Sequence, residues 1–410
     1  MNTLRKVCSL LLASLGLSLP RTPACAQGAP PSQIKPLVEG NTAFGLELYG
    51  RLKDRPGNVF FSPYSISTCL AMTYAGARGN TEQQMARGLH LSPDQAQVHA
   101  AFGQLQRQLN EAQKQKGITL NVANALWTQK GHPFQPAFLD LAKGEYQANI
   151  NQADFPTGAE AARKEINHWV AQQTKDKIQD ILPPGSLNSL TRLVLADAIY
   201  FKGIWAKPFE KAGTQNQPFH LSARRQVDVP LMHHLDTVKY MENADLQAVE
   251  LPYSGNKLSM LIVLPRQIEG WAQLEQQLSL AWLSNLLGQM KQQTVDIFLP
   301  RFKQESSFEL NGPLEKMGLS DAFGSQADFS GIDGTKLLYI SAVFHKAWVE
   351  VNEEGTEAAA ATTTTMRITS AMRQPPPPPV FRADHPFLFL LRDTRSGSLL
   401  FLGRLADPGR

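Results

Sequence analysis

From Leu193 onward the chain is a succession of short apolar runs, LVLADAIYFKGIW, VELPYSG, LSMLIVLP, TVDIFLPRF, FLFLLRD and SLLFLGRL, separated by turn residues. Runs of this length, bounded in this way, read as β-strands, and none approaches the roughly 20 residues that a membrane helix needs. The front of the chain reads differently. Phe44, Leu48 and Leu52 recur at i, i+4 and i+8 ahead of Pro56-Gly57, the pattern of one buried helix face with a stop signal. Residues 58–79 start as a strand and turn helical after Ser62-Pro63, where serine caps and proline suits the first helical position. Thr81 with Gln84 resembles a capping box for the next helix. Helices ahead of strands, with no Gly/Ser-rich linker and no internal repeat, imply one α+β unit with mainly antiparallel sheets.

The first residues, MNTLRKVCSLLLASLGLSLPRTPACAQG, place Arg5 and Lys6 ahead of an apolar stretch over 7–19, and Ala24-Cys25-Ala26 ahead of Gln27. This is the anatomy of a cleaved export signal over residues 1–26, too short to span a membrane. The expected location is extracellular or periplasmic, with residues 27–410 as a single domain. A lipid anchor on Cys25 competes, but Arg21, Thr22, Pro23 and Ala24 make a poor lipidation context. Loss of residues 1–26 removes Arg5, Lys6 and Arg21 and no acid, so the formal charge falls from +4 to +1. A near-neutral surface argues against nucleic acid as a partner. Cys8 and Cys25 leave as well. Cys69 then remains alone, no internal disulfide can form, and the core has to carry the stability.

Enzyme signatures are missing: the sequence has no G-x-S-x-G elbow, H-E-x-x-H, C-x-x-C or Walker-type loop. His233-His234 is a candidate metal pair, yet adjacent residues point to different sides of most backbones, so neither metal nor cofactor is expected. The other histidines are scattered, and a triad assembled through space stays open.

One stretch resists assignment. Residues 353–379 read EEGTEAAAATTTTMRITSAMRQPPPPP, so four helix-favouring alanines meet four strand-favouring threonines and end in a proline rod. A low-complexity linker is the plain reading, and a poly-proline docking motif is another. The surrounding segments decide otherwise. NVFFSPYSISTCLAMTYAGARGNTEQQM, INHWVAQQTKDKIQDIL, LADAIYFKGIWAKPF, MGLSDAFGSQADFSGI, HKAWVEVNEEGTEAAAAT and FRADHPFLFLLRDTRSGSLLFLGRL, in that order and spacing, resemble the serpin family of serine-protease inhibitors over residues 34–407.

The resemblance implies three mainly antiparallel β-sheets, eight or nine helices and an exposed reactive-centre loop, here about 353–379. It implies a monomeric suicide substrate: a target serine protease, or a cysteine protease, cuts the loop, is held as an acyl-enzyme, and is carried away as the loop enters the large sheet. Alternation fits that fate. Thr356, Ala358, Ala360, Thr362, Thr364 and Met366 share one parity, small and then apolar, whereas Glu357 and Arg367 share the other. The hinge is Gly355, Thr356, Glu357, Ala358, Ala359, Ala360, Ala361 and Thr362. Family spacing sets the scissile bond at Thr369-Ser370, suiting elastase-like or subtilisin-like enzymes. A slipped register makes Arg367 or Arg373 (trypsin-like targets) or Met372 (chymotrypsin-like targets) the alternative. Ser62, Ser65 and His345 match the polar cluster beneath the opening point of the large sheet. Asp197 stands where the family usually has asparagine, which leaves two readings open: a charge-assisted Asp197–His345 pair that would make sheet opening sensitive to pH, or an exposed, water-solvated carboxylate. Trp205 matches the tryptophan where insertion begins, and Arg301 a basic partner for Glu353. The class-distant alternative is a non-inhibitory binding or chaperone-like protein on the same fold.

Overall fold

The computed structural model describes residues 34–355 and 376–409. Ten α-helices lie among them: α1 Ile34–Leu52, α2 Pro63–Tyr74, α3 Gly79–Gly88, α4 Gln95–Gln113, α5 Pro136–Gly144, α6 Phe155–Gln173, α7 Trp271–Gln277, α8 Leu280–Gln289, α9 Asn311–Lys316 and α10 Ser330–Asp333. The last two are only six and four residues long, which accounts for the excess over the eight or nine expected. The strands are β1 Val59–Phe61, β2 Ile118–Gln129, β3 Asn149–Ala153, β4 Leu193–Gly203, β5 Gln215–Ser222, β6 Arg225–Glu242, β7 Leu246–Pro252, β8 Leu258–Pro265, β9 Lys291–Pro300, β10 Phe302–Glu309, β11 Phe344–Val351, β12 Val380–Arg382, β13 Phe387–Asp393 and β14 Leu399–Leu405.

The five-stranded sheet has the order β10-β11-β4-β2-β3. The nine-stranded one runs β1-β14-β13-β8-β7-β6-β9-β12, with β5 also on β6. It has two arms sharing the 18-residue β6, whose first part pairs with β5 and β9 and whose end pairs with β7. Two arms and one separate sheet together make the three sheets expected. The mixed α+β class holds.

The five-stranded sheet is covered on both faces. Along β4, Val194, Ala196 and Ala198 join the cluster under α6, while Ile199 and Phe201 enter the main core on the opposite face, the period-two alternation of a strand. Asp197 shares the main-core parity, so the sheet turns an acid toward α2. That helix starts as the sequence indicates, with Ser62 as N-cap accepting from Ser65 N–H and Pro63 in the first turn, and all twelve of its residues are buried. Thr81 and Gln84 do not form a capping box. Helix α3 begins at Gly79, Thr81 Oγ1 accepts from Asp328 N–H at 2.9 Å, and Gln84 Oε1 accepts from Asp321 N–H at 2.9 Å. Both side chains satisfy a distant loop instead of their own helix.

Arg404 on β14 closes the far end of the core. It is 2% exposed, donates to the carbonyls of Lys53, Arg55 and Gly57, and pairs with Glu275 at 2.9 Å. Glu275 in turn accepts the Tyr49 hydroxyl. Arg404→Met leaves the Glu275 carboxylate buried without its partner, and the expected loss is about 3–5 kcal/mol in urea unfolding. Adding Glu275→Gln should recover most of it.

Candidate functional site

Parallel strands β4 and β11 share only three rows: Ala198 with Lys346, Ile199 with Ala347, and Tyr200 with Trp348. Beyond their C-terminal ends the chain turns back. Asn352 and Gly355 exchange N–H···O bonds of 3.0 and 3.1 Å, and Gly355 also forms an antiparallel bridge with Ile204. Gly355 therefore sits between the ends of two neighbouring strands, joined to both. Its φ is +111°, and a Cβ there would lie 2.2 Å from the Gly203 oxygen and 2.5 Å from the Trp205 nitrogen. Only glycine fits.

The turn is anchored by side chains from three other segments. Trp205 N–H donates to the Glu354 carbonyl at 3.0 Å, and its indole N–H to the Asn352 carbonyl at 3.0 Å. Its ring stacks on Tyr253 at 4.5 Å. Phe209 N–H donates to the Glu353 carbonyl at 2.7 Å. The Glu353 carboxylate, 3% exposed, accepts from Arg301 and, at 2.7 Å, from the Thr214 hydroxyl. Burial alone would raise the Glu353 carboxyl, but these bonds and the Arg301 charge hold it below the usual range. Lys211 pairs with Glu354 at 2.8 Å. Trp205, Arg301 and Glu353 thus meet at this turn. Thr214, Phe209 and Tyr253 carried no signal in the sequence, because each comes from a segment that adjoins the turn only after folding.

Below the three rows, Ser62, Ser65, Asp197 and His345 converge, all at 3% exposure or less. By register Asp197 and His345 occupy the next row down, yet they do not bond to each other. Ser65 Oγ donates to Asp197. The Ser62 N–H donates to His345 Nε2 at 3.0 Å, and the Ser62 hydroxyl donates to the Leu400 carbonyl at 2.6 Å. The charge-assisted Asp197–His345 pair is therefore corrected, as is an exposed Asp197: the first turn of α2 takes a partner from each strand. Since Nε2 accepts, the proton of neutral His345 lies on Nδ1, which is buried without a partner among the described residues. Burial pushes the Asp197 carboxyl up to about 7, with the Ser65 hydroxyl opposing. Burial pushes His345 down to about 3.

Other sequence expectations fall as follows. Hinge residues 356–362, the Thr369-Ser370 bond, the alternatives Arg367, Met372 and Arg373, and residues 1–26 lie outside the described residues. Pro376 to Pro379 belong to no strand, and Asp296 N–H donates to the Pro379 carbonyl at 2.9 Å. The two histidines of β6 point apart: His233 pairs with Asp296 at 2.6 Å, and His234 stacks on Phe209 at 3.9 Å. Among the described residues no three His, Cys, Asp or Glu side chains gather as metal ligands. No helix there is long and apolar enough to cross a membrane.

Residues 39–408 match the family model described as serpin (serine protease inhibitor). The leukocyte elastase inhibitor of Xenopus tropicalis is 43% identical over 376 residues, covering 90% of this chain and 98% of that protein. The human leukocyte elastase inhibitor is 40% identical over 389 residues, covering 92% and 100%. Uncleaved ovalbumin superposes with a TM-score of 0.80 at 30% identity, covering 90% of this chain and 99% of that one. The chain belongs to the serpin family. The same relatives correct one expectation. Leukocyte elastase inhibitors are intracellular serpins without a signal peptide, so the extracellular or periplasmic location read from residues 1–26 is not supported and is withdrawn.

Two outcomes are expected here. A carboxyl raised by folding contributes stability that is full below its unfolded value near 4 and is lost as pH rises to about 7. His345 acts oppositely, its contribution being lost as pH falls from about 6.5 toward 3. The two slopes offset each other in the wild type. Asp197→Asn removes only the first, so the gain in thermal midpoint over wild type should grow from pH 4 to pH 7 and level off above. The difference is on the order of 4 kcal/mol at pH 8. Gly355→Ala should lower the midpoint at every pH, by about 1–3 kcal/mol, because its Cβ meets backbone on β4.

Proposed function

We propose that this serpin inhibits a serine protease as a suicide substrate, its cut loop entering the five-stranded sheet between β4 and β11. One observation carries the reading: Gly355 already bridges the ends of both strands, with only three rows joined below it. Extending the antiparallel register from Ile204–Gly355 sets Thr356 opposite Gly203, Ala358 opposite Phe201, Ala360 opposite Ile199, Thr362 opposite Asp197 and Met366 opposite Leu193. The even-numbered residues, opposite the odd-numbered residues of β4, then face the main core. Glu357 arrives opposite Lys202, an opposite-charge neighbour.

Two features left open by the uncleaved form acquire a purpose on this reading. Thr362 comes between Asp197 and His345, so its hydroxyl can reach both the raised carboxyl and the unpartnered Nδ1–H. At the lower end, Met366 reaches a cavity lined by Leu187, Leu190, Leu193, Leu195, Leu337 and Tyr339. Leu190, Leu337 and Tyr339 are 71%, 82% and 48% exposed, and an incoming strand would cover apolar surface there. About 15 inserted residues at roughly 3.3 Å each carry an attached enzyme on the order of 50 Å.

The proposed scissile bond is Thr369-Ser370, and elastase-like or subtilisin-like enzymes, with shallow pockets for small residues, are the proposed targets. The similarity to leukocyte elastase inhibitors supports the first of these. Mixing the protein with an elastase, a subtilisin, trypsin and chymotrypsin, followed by denaturing gels and mass spectrometry of the released C-terminal peptide, tests the reading. The expected result is an SDS-stable complex with the elastase and a peptide beginning at Ser370. A peptide beginning at Ile368 or Gln374 would move the bond to Arg367 or Arg373. Cleavage without a stable complex across the panel would favour the non-inhibitory alternative.

A further inference from the structure

The foot of the β4–β11 seam holds a cavity of about 80 Å³. Two stretches of chain wall it, residues 182–195 running into β4 and residues 329–344 running into β11, joined by Thr73 of α2. The deeper lining is apolar: Leu182, Phe329, Ile332 and Ile340 are each 7% exposed or less. At the mouth Leu190, Leu337 and Tyr339 stay in water, three of the five exposed large apolar side chains among the described residues. Exposed apolar side chains gathered around one opening mark a binding surface.

The lining sets the chemistry of the occupant. The volume is about half of the roughly 150 Å³ that admits a benzene ring, so a narrow chain end fits and a ring does not. An apolar cavity stays dry, and a tail entering it displaces no well-held water. Arg192 is the one ionised side chain in the lining. Its Nη1 donates to the Ser189 and Thr191 carbonyls, both at 2.9 Å, and no carboxylate pairs with it among the described residues. Nε and Nη2 are left for a further acceptor. On the same stretch the Ser186 hydroxyl is shut off from water, without a partner among the described residues. A cation and a spare hydroxyl beside a narrow apolar slot match an anion with an unbranched tail.

We infer that this cavity binds one medium-chain fatty-acid anion, its tail end among Leu182, Phe329 and Ile332 and its carboxylate on Arg192 and Ser186. The middle of the chain covers Leu190, Leu337 and Tyr339. The bound molecule touches both stretches at once, so it holds the feet of β4 and β11 together. It also fills the space that Met366 reaches on insertion. Both effects delay the last stage of loop entry, so that more of the inhibitor is cut and released. This regulatory effect rests on the inhibitory reading above, whereas the binding does not.

The test uses the full chain and decanoate below its micelle concentration, read by calorimetry and by the thermal midpoint without protease. One molecule should bind per chain and raise the midpoint with its concentration. Arg192→Gln should weaken binding about tenfold, the loss of one charge-assisted hydrogen bond. Leu337→Glu, at a side chain 82% exposed, should do the same by repelling the anion, and the ligand-free midpoint should not move. Decanol and decyltrimethylammonium should bind about tenfold less tightly than decanoate. Against the elastase of the panel, saturating decanoate should raise the inhibitor molecules cut per stable complex about twofold. Arg192→Gln should show no such rise at the same concentration. Decanoate binding that does not saturate, that equals decanol binding, or that is unchanged in Arg192→Gln overturns the inference. Sedimentation with phosphatidylglycerol vesicles without monomer binding also overturns it and assigns the face to a membrane surface. Binding without a change in stoichiometry overturns the regulatory effect alone. Failure of the wild type to form any stable complex overturns the inhibitory reading, and the calorimetry still decides the site.

Discussion

Everything distinctive in this molecule depends on how little joins β4 to β11. Two long strands lie side by side in a sheet buried on both faces, yet they share three rows of parallel pairing, and parallel ladders are the less stable per residue. Elsewhere in the same sheet β2 and β4 pair along eleven rows, and β10 and β11 along eight. The seam is a weak line through an otherwise well-bonded structure. Gly355 stands at one end of it and an apolar cavity at the other.

Side chains compensate for the missing backbone bonds without closing the seam. The first turn of α2 bridges it from beneath, Ser65 taking Asp197 on one strand and Ser62 taking His345 on the other. At the upper end Glu353, Arg301, Thr214 and the Trp205 indole fix the turn over residues 352–355. These are local, directional contacts, and they can be exchanged for others one at a time. A continuous ladder would have to be broken cooperatively. An acid at position 197 adds a cost that a neutral side chain would not, since its charged form has no cation beside it among the described residues.

Local pattern was legible wherever one element satisfied itself. The face of α1, the Ser62 cap, the Pro63 start and the six apolar strand runs are all where periodicity and turn residues put them. The signals failed where a residue works for a distant partner. Thr81 and Gln84 look like a helix cap and instead bond to a loop some 240 residues away. Strand β6 carries Pro230, which demotes a strand when read alone. Its neighbours β5, β7 and β9 hold it regardless. The motif match brings Asp197 and His345 near each other but leaves their pairing open, and α2 offers each group a bond of its own.

What the amino-acid sequence determined by itself is the class of fold, the order of its elements, and a stretch of alternating small residues ahead of the prolines. Those follow from periodicity, capping and side-chain volume, all properties of neighbours along the chain. Only the tertiary structure decided that Gly355 would touch two strands at once, that Asp197 and His345 would share a row without sharing a bond, and that Arg192 and Ser186 would edge an apolar cavity walled by the stretches ahead of β4 and β11. Each of these depends on the register between segments distant in sequence. Register is set by the packing of the whole core, so no stretch read alone contains it.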